Sequence, residues 1–236
     1  MYGSCTYKSP TTGKQYLFVN AKSAEYLQYE LTATDDGTLQ TALVRSFIGG
    51  SGGQVEGCVS DEENGWVFIG EEPYALWRYD AEPDAATEPV AVATVDDDVL
   101  IGKLYGDVEG VTLVVGPAPS QGFLIVSCQG VSAYNVYRRE SPHAYVGTFS
   151  IGASADGSID AVTNTDGIAA IGTALGSDFP HGLFVTHDDS NELPAGGTAA
   201  EASFKLVSLE TIFKTLSNGN ATLLDEIDNE WNPRAE

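Results

Sequence analysis

Basic side chains are scarce. Lys and Arg number 11 against 34 Asp and Glu, which gives a formal net charge of −23. A surface that acidic repels nucleic acid and anionic membranes, so neither is expected as a partner. Histidine occurs three times (His143, His181 and His187), scattered along the chain; His187, beside Asp188, reads as a partly exposed turn residue rather than a base. The three cysteines, Cys5, Cys58 and Cys128, form no CxxC pair and have no zinc spacing. An odd number leaves at least one thiol over, so no disulfide scaffold is implied. No apolar run approaches the roughly 20 residues of a membrane span, and no signal-type segment follows Met1. Several hydrolase mechanisms lack their residues. There is no Arg-His-Gly phosphohistidine motif, no cysteine with an arginine six places on, and no Gly-x-Ser-x-Gly elbow. The run Gly49-Gly50-Ser51-Gly52-Gly53 lacks the Lys-Ser/Thr of a nucleotide loop and reads as a flexible turn.

What is present is repetition. An acid–Gly–apolar phrase recurs at Glu56-Gly57, Glu109-Gly110 and Asp166-Gly167, with spacings of 53 and 57 residues between the acids. Periods near 50 residues mark propellers and related arrays. After each phrase comes a glycine-led apolar run: Gly65 to Ile69, Gly122 to Val126, and Gly182 to Val185. Tyr16-Leu17-Phe18-Val19 is the same element in an earlier repeat that opens at Tyr2-Gly3. Third strands follow at Tyr26 to Tyr29, Ala75 to Tyr79, Tyr134 to Tyr137 and Phe204 to Val207. Fourth strands are visible in three repeats, at Ala42 to Phe47, Ala91 to Val95 and Tyr145 to Ile151; the last repeat shows none.

Short strands repeated without intervening helices predict an all-β chain, a β-propeller with four blades of four-stranded antiparallel sheet. A β-sandwich would give similar strands but no reason for one phrase at one place in each unit. Ser208 is placed to cap a short C-terminal helix with an apolar stripe of Leu209, Ile212, Phe213 and Leu216, stopped by Asn218-Gly219. The propeller domain is therefore expected over 1–219, with a loosely held acidic tail over 220–236. Four blades this long make a poor ring, and the chain enters its first strand directly after Met1. Both features predict missing blades: an incomplete, open ring whose end faces expose apolar side chains, or a dimer that hides those faces.

Equivalent positions in successive blades form rings around the propeller axis. Glu56, Glu109 and Asp166 would form one. A second follows three residues beyond each second-strand apolar pair, at Lys22, Glu72, Gln129 and Asp188. Asp107, Asp160 and Asn191 join them near one mouth. Unit charges 4 Å apart repel by about 4 kcal/mol at an effective dielectric of 20, so either several carboxyl groups stay protonated or cations bind. Oxygen ligands without His or Cys favour calcium, in several ions. A single Glu-Gly is more simply the start of a strand after a turn, and the acidity overall is also that of a salt-adapted surface. Three acids in register, with a second polar ring, favour metal.

The ordered series Tyr2-Gly3, Gly13 to Lys22, Glu25 to Leu31, Ile69 to Glu72, Ala81 to Asp84, Asp107 to Gly110, Ser127 to Gly130, Asn164 to Ile168 and Phe204 to Val207 resembles the β-propeller phytases across almost the whole chain. That family is six-bladed, and the resemblance covers its last four blades. It implies a calcium-dependent phosphoric monoester hydrolase, of the 3-phytase type, acting on myo-inositol hexakisphosphate, secreted in its complete form. Tyr2, Lys22 and Glu72 match catalytic positions, with Lys22 and Tyr2 toward substrate phosphate. Glu56, Glu72, Asp107, Glu109, Gln129, Asp160, Asp166, Asp188 and Asn191 match calcium-binding positions. The family's first two blades add Lys and Arg phosphate ligands and an acidic calcium ligand that have no counterpart here. Two other readings stay open: a calcium-binding propeller scaffold without catalysis, and a propeller esterase or lactonase. The second would need a histidine at a channel-lining repeat position, and there is none.

Overall fold

The structure, a computed structural model, describes residues 2–95, 104–193, 195–220 and 222–232. It divides into two compact units, Met1–Glu109 and Gly110–Glu236. Both are built from antiparallel sheets whose strands follow one another in sequence order, the blade unit that the repeats predict.

In the first unit, β1 (Ser4–Lys8), β2 (Gln15–Asn20), β3 (Glu25–Ala33) and β4 (Leu39–Ile48) form one sheet. β5 (Val55–Asp61), β6 (Trp66–Glu71), β7 (Ala75–Asp80) and β8 (Val90–Thr94) form the next. Alternation decides which side chains face inward. In β2 the buried residues are Tyr16, Phe18 and Asn20, and in β3 Tyr26 and Gln28. The aromatic members join Tyr7, Val55, Val67, Ile69 and Tyr79 in a single core between the two sheets. Cys5 of β1 and Cys58 of β5 are disulfide-bonded with Cα atoms 5.5 Å apart. The sequence leaves the cysteine pairing open, and the structure decides it: the 53-residue repeat sets Cys5 and Cys58 on facing first strands, while Cys128 is buried at the end of a strand in the other unit.

The glycine run is not a flexible turn. Glu71, fully buried, accepts hydrogen bonds from Ser51 N (3.0 Å), Gly53 N (2.7 Å), the Ser51 hydroxyl and the Trp77 indole. Tyr79 OH accepts from Gly50 N at 2.6 Å. Burial alone would raise the Glu71 carboxyl, but these donors outweigh it and hold the group below its ordinary value. Glycine is required here because a Cβ at Gly49 would lie 2.4 Å from the Tyr26 ring.

The second unit contains β9 (Val108–Val115, which enters it at Gly110), β10 (Gly122–Cys128), β11 (Ala133–Arg138) and β12 (Tyr145–Phe149). The last sheet has three strands, β13 (Ile168–Ile171), β14 (Leu183–Asp188) and β15 (Ser203–Ser208), in keeping with the absence of a fourth strand from the final repeat. Helix α1 (Leu209–Leu216) buries Leu209, Ile212 and Phe213. Ser208 occupies the N-cap position, but its side chain makes no capping hydrogen bond. Phe123 meets Phe213 at 4.4 Å between ring centroids, and Tyr134 meets Phe149 at 4.8 Å and Phe184 at 5.1 Å. The segment after the helix is not loose where it is described. Leu224 and Ile227 are buried in this core, Asp228 N donates to Val115 O at 2.9 Å, and Arg138 pairs with Glu226. Residues 221 and 233–236 of the expected tail lie outside the described residues.

The glycine of the repeat phrase lets neighbouring backbones approach. A Cβ at Gly3 would sit 1.8 Å from Glu56 O, and one at Gly110 2.6 Å from Asp166 O. Each contact is to backbone, so a side chain there forces a main-chain shift. Gly3→Ala and Gly110→Ala are each expected to cost about 2 kcal/mol, read as a lower melting temperature. Gly152→Ala, with nothing among the described residues within 4 Å of its Cβ, should change it by less than about 0.5 kcal/mol.

Candidate functional site

The acids of the repeat phrase enter the first unit at equivalent strand positions. Glu56 is the second residue of β5 and Glu109 the second of β9, each following a buried valine, Val55 and Val108. Carboxylate oxygens of Glu56 and Glu109 lie within 4.8 Å of one another, Glu56 half-buried and Glu109 buried. Glu56 O accepts a hydrogen bond from Asn20 Nδ2 at 2.9 Å, and Asn20 Oδ1 accepts one from Gly3 N at 2.6 Å, which ties the phrase to the start of the chain.

Glu72 follows β6 directly. Its backbone N donates to Gln54 O (2.9 Å) and its carbonyl accepts from Val108 N (3.0 Å), so the ladder itself sets it between the leaders of β5 and β9. The Gln54 amide contacts the Glu72 carboxylate. Burial and the neighbouring Glu56 and Asp107 charges push the Glu72 carboxyl above its ordinary value, against the opposing Gln54 hydrogen bond. Glu72 thus resists ionisation beside these two neighbours. Lys22, in the turn after β2, stands 4.0 Å above the Tyr2 ring, and Gln54 Nε2 lies 3.4 Å from the Tyr2 hydroxyl. The Tyr2 hydroxyl, with help from Glu72 and Glu56, raises Lys22 above its ordinary value, so its charge is secure at neutral pH. Tyr2, Lys22, Glu56, Glu72, Asp107 and Glu109 are therefore brought together within the first unit. Gln54 and Asn20, which hold them, were missed in the sequence: neither belongs to the repeat phrase.

In the second unit the expected residues form a different arrangement. Gln129 begins a 310 turn (Gln129–Val131) after β10 and is half-buried. Asp166, also half-buried, lies just ahead of β13, with Gly110 against its carbonyl. Asp160, Asp188 and Asn191 surround an ammonium. Lys205 Nζ lies 2.8 Å from Asp188 Oδ2 and 3.2 Å from Asn191 Oδ1, and it contacts Asp160 Oδ1. Asp160 Oδ2 accepts from Glu192 N at 2.5 Å, and Asp188 Oδ1 from Thr163 N at 2.9 Å. The Lys205 contact and the Glu192 amide hold Asp160 below its ordinary value. Burial alone would lower Lys205, but Asp160 and Asp188 raise it. The β14–β15 register explains the placement. Thr186 pairs with Lys205 and Asp188 with Ser203, and directly opposed residues share a face, so Lys205 lies on the buried Phe184–Thr186–Asp188 side. His187, on the other face of β14, is a strand residue rather than a turn residue, its ring 6.0 Å from that of Phe204.

The sequence model of the family described as Phytase matches residues 1–235. The chain belongs to the phytase family. A curated relative, the 3-phytase of Bacillus subtilis (strain 168), is 35% identical over 235 residues, which cover 99% of this chain and 57% of the relative. The chain thus spans a little over half the length of that curated relative. Among solved structures, a chain of a humanized mutant of the Chaetomium thermophilum Polycomb Repressive Complex 2 bound to the inhibitor GSK126 is similar at a TM-score of 0.45 and 11% identity. That match covers 84% of this phytase-family chain and 40% of the other, a likeness too slight to carry an argument. Among the described residues no helix is long and apolar enough to cross a membrane.

Proposed function

We propose that this phytase-family chain serves calcium-dependent hydrolysis of phosphate monoesters of myo-inositol hexakisphosphate, as a 3-phytase. Family membership is the observation that carries the reading, and the first unit's carboxylate group gives it chemistry. The residues fit calcium: the donors are carboxylate oxygens without His or Cys, and their mutual repulsion at Glu72 is what a hard cation relieves. Glu56, Glu72, Asp107 and Glu109 are the proposed ligands there, and Gln129 and Asp166 are proposed calcium ligands of the second unit. Bound calcium would neutralise phosphate oxygens and activate a water for attack on phosphorus.

The chain's own side chains do the rest. Lys22 carries the charge that a phosphate oxygen meets, and its seat over Tyr2 fixes where that charge stands. The Tyr2 hydroxyl is a donor to a second oxygen. In the reaction the water oxygen bonds to phosphorus as the phosphorus–oxygen ester bond breaks, and the inositol oxygen leaves with a proton. The Cys5–Cys58 bridge supports secretion, since disulfides persist in oxidising compartments.

The test is phosphate release from phytate with calcium and with chelator, alongside melting temperature. Calcium is expected to start release and, at a hundredfold excess over Kd, to stabilise the fold by about 2.7 kcal/mol. A protein that binds calcium and melts higher with it, yet frees no phosphate from phytate, is the non-catalytic scaffold instead.

A further inference from the structure

The oxygen cluster of the second unit holds a cation of the chain's own. Asp188 is completely buried, and among the described residues its Oδ2 has no partner other than Lys205. Asp160 comes from the loop after β12, Asn191 from the loop after β14, and Lys205 from β15, so one ammonium joins three separate segments. Asn191 is itself fixed, with Nδ2 donating to Glu201 O at 2.8 Å and Oδ1 accepting from Ser203. Three oxygen-bearing side chains converging on one positive centre is the donor set of a calcium ion, with an ammonium standing in its place. Asp188 is buried and Asp160 nearly so, and Lys205, only 11% exposed, pairs with both.

We propose that Lys205 is an internal counter-ion that keeps Asp160, Asp188 and Asn191 assembled when no metal is bound, and that a divalent cation must displace it to bind there. Lys205 then sets both the metal-free stability of this unit and the threshold calcium concentration of the cluster. The displacement half rests on the calcium reading above; the metal-free half does not. The ammonium sits on a flexible four-carbon stem that rises from β15, the last strand in the order of its sheet. Phe204 and Leu206 flank it in sequence on the opposite, exposed face of β15.

Lys205→Met keeps the stem and removes the charge. In chelator it is expected to lower the melting temperature by roughly 6–12 °C, the loss that follows when a buried ion pair is broken from one side. Calcium should then bind the variant at least tenfold more tightly than the parent, by calorimetric titration, and restore most of the lost stability. Adding Asp188→Asn should recover part of the chelated loss and abolish the tighter calcium binding; this double variant also serves if Lys205→Met does not fold alone. An unchanged chelated melting temperature overturns the counter-ion role, as does a double variant that remains unfolded. Calcium affinity that is unchanged or weaker in Lys205→Met overturns displacement. If neither protein binds calcium while the chelated loss persists, the calcium reading and the displacement fall together and the counter-ion role stands.

Discussion

Glu72→Gln is expected to lower calcium-dependent phosphate release from phytate by about 100-fold or more while leaving the chelated melting temperature unchanged or slightly raised. The two effects have opposite signs for one electrostatic reason. Without metal, Glu72 is a partly buried carboxylate facing the charges of Glu56 and Asp107, which push its carboxyl upward. Removing its charge relieves that repulsion, and a glutamine can still meet the Gln54 amide through its own carbonyl oxygen. With calcium and phosphate bound, the same carboxylate is proposed to be a ligand where positive charge must be held, and losing one such fixed charge from a phosphoryl-transfer site costs several kcal/mol of transition-state stabilisation. The stabilisation that calcium confers should shrink in the variant. Parallel losses of turnover and of chelated stability would instead make Glu72 a structural residue and remove it from the catalytic group.

Reducing the Cys5–Cys58 bridge, or replacing both cysteines by serine, should cost about 4 kcal/mol, the loop-entropy value for a bridge of this span. The sequence separation is 53 residues, so the bridge closes one whole repeat in the unfolded chain. In a protein of this size the loss corresponds to roughly 10 °C in melting temperature. The native sheets should survive the loss, because Tyr7, Phe18, Tyr26, Val55 and Tyr79 keep the core between β1–β4 and β5–β8. Asn20 also still bonds Glu56 O and Gly3 N. Thermal melts with and without reductant check this. Identical curves would show that the bridge adds nothing the core does not already provide.

Periodicity made the strands legible. The repeated apolar runs became β2, β6, β10 and β14, and the stripe of Leu209, Ile212 and Phe213 became the buried side of α1. Each rests on local pattern: alternation for strands, a 3.6-residue stripe for the helix. The equivalence of Glu56 and Glu109 was likewise readable, since both occupy the second position of a first strand. Asp166 departs from it, lying before β13 rather than in it.

Lys205 shows what pattern could not reach. In Phe204-Lys205-Leu206 the hydrophobic residues alternate as though they faced a core, yet Phe204 and Leu206 are 68% and 61% exposed and Lys205 faces inward. The pairing of β15 with β14 decides this, because Asp188 and Thr186 already fix which face is buried. Glu71 is a similar case: beside Glu72 in sequence, it looks like one more acid, but the strand turns it into the protein, where backbone donors of the glycine run satisfy it. By itself, then, the sequence determined the sheets, their order, the family and the residues that carry acid in each repeat, all properties of spacing along one chain. Tertiary structure alone decided which carboxylates stand close together, which of them pair with a lysine, and which two of three cysteines meet. Those outcomes depend on distances between strands some 50 residues apart, and Coulomb energies and covalent geometry change decisively over a few ångströms.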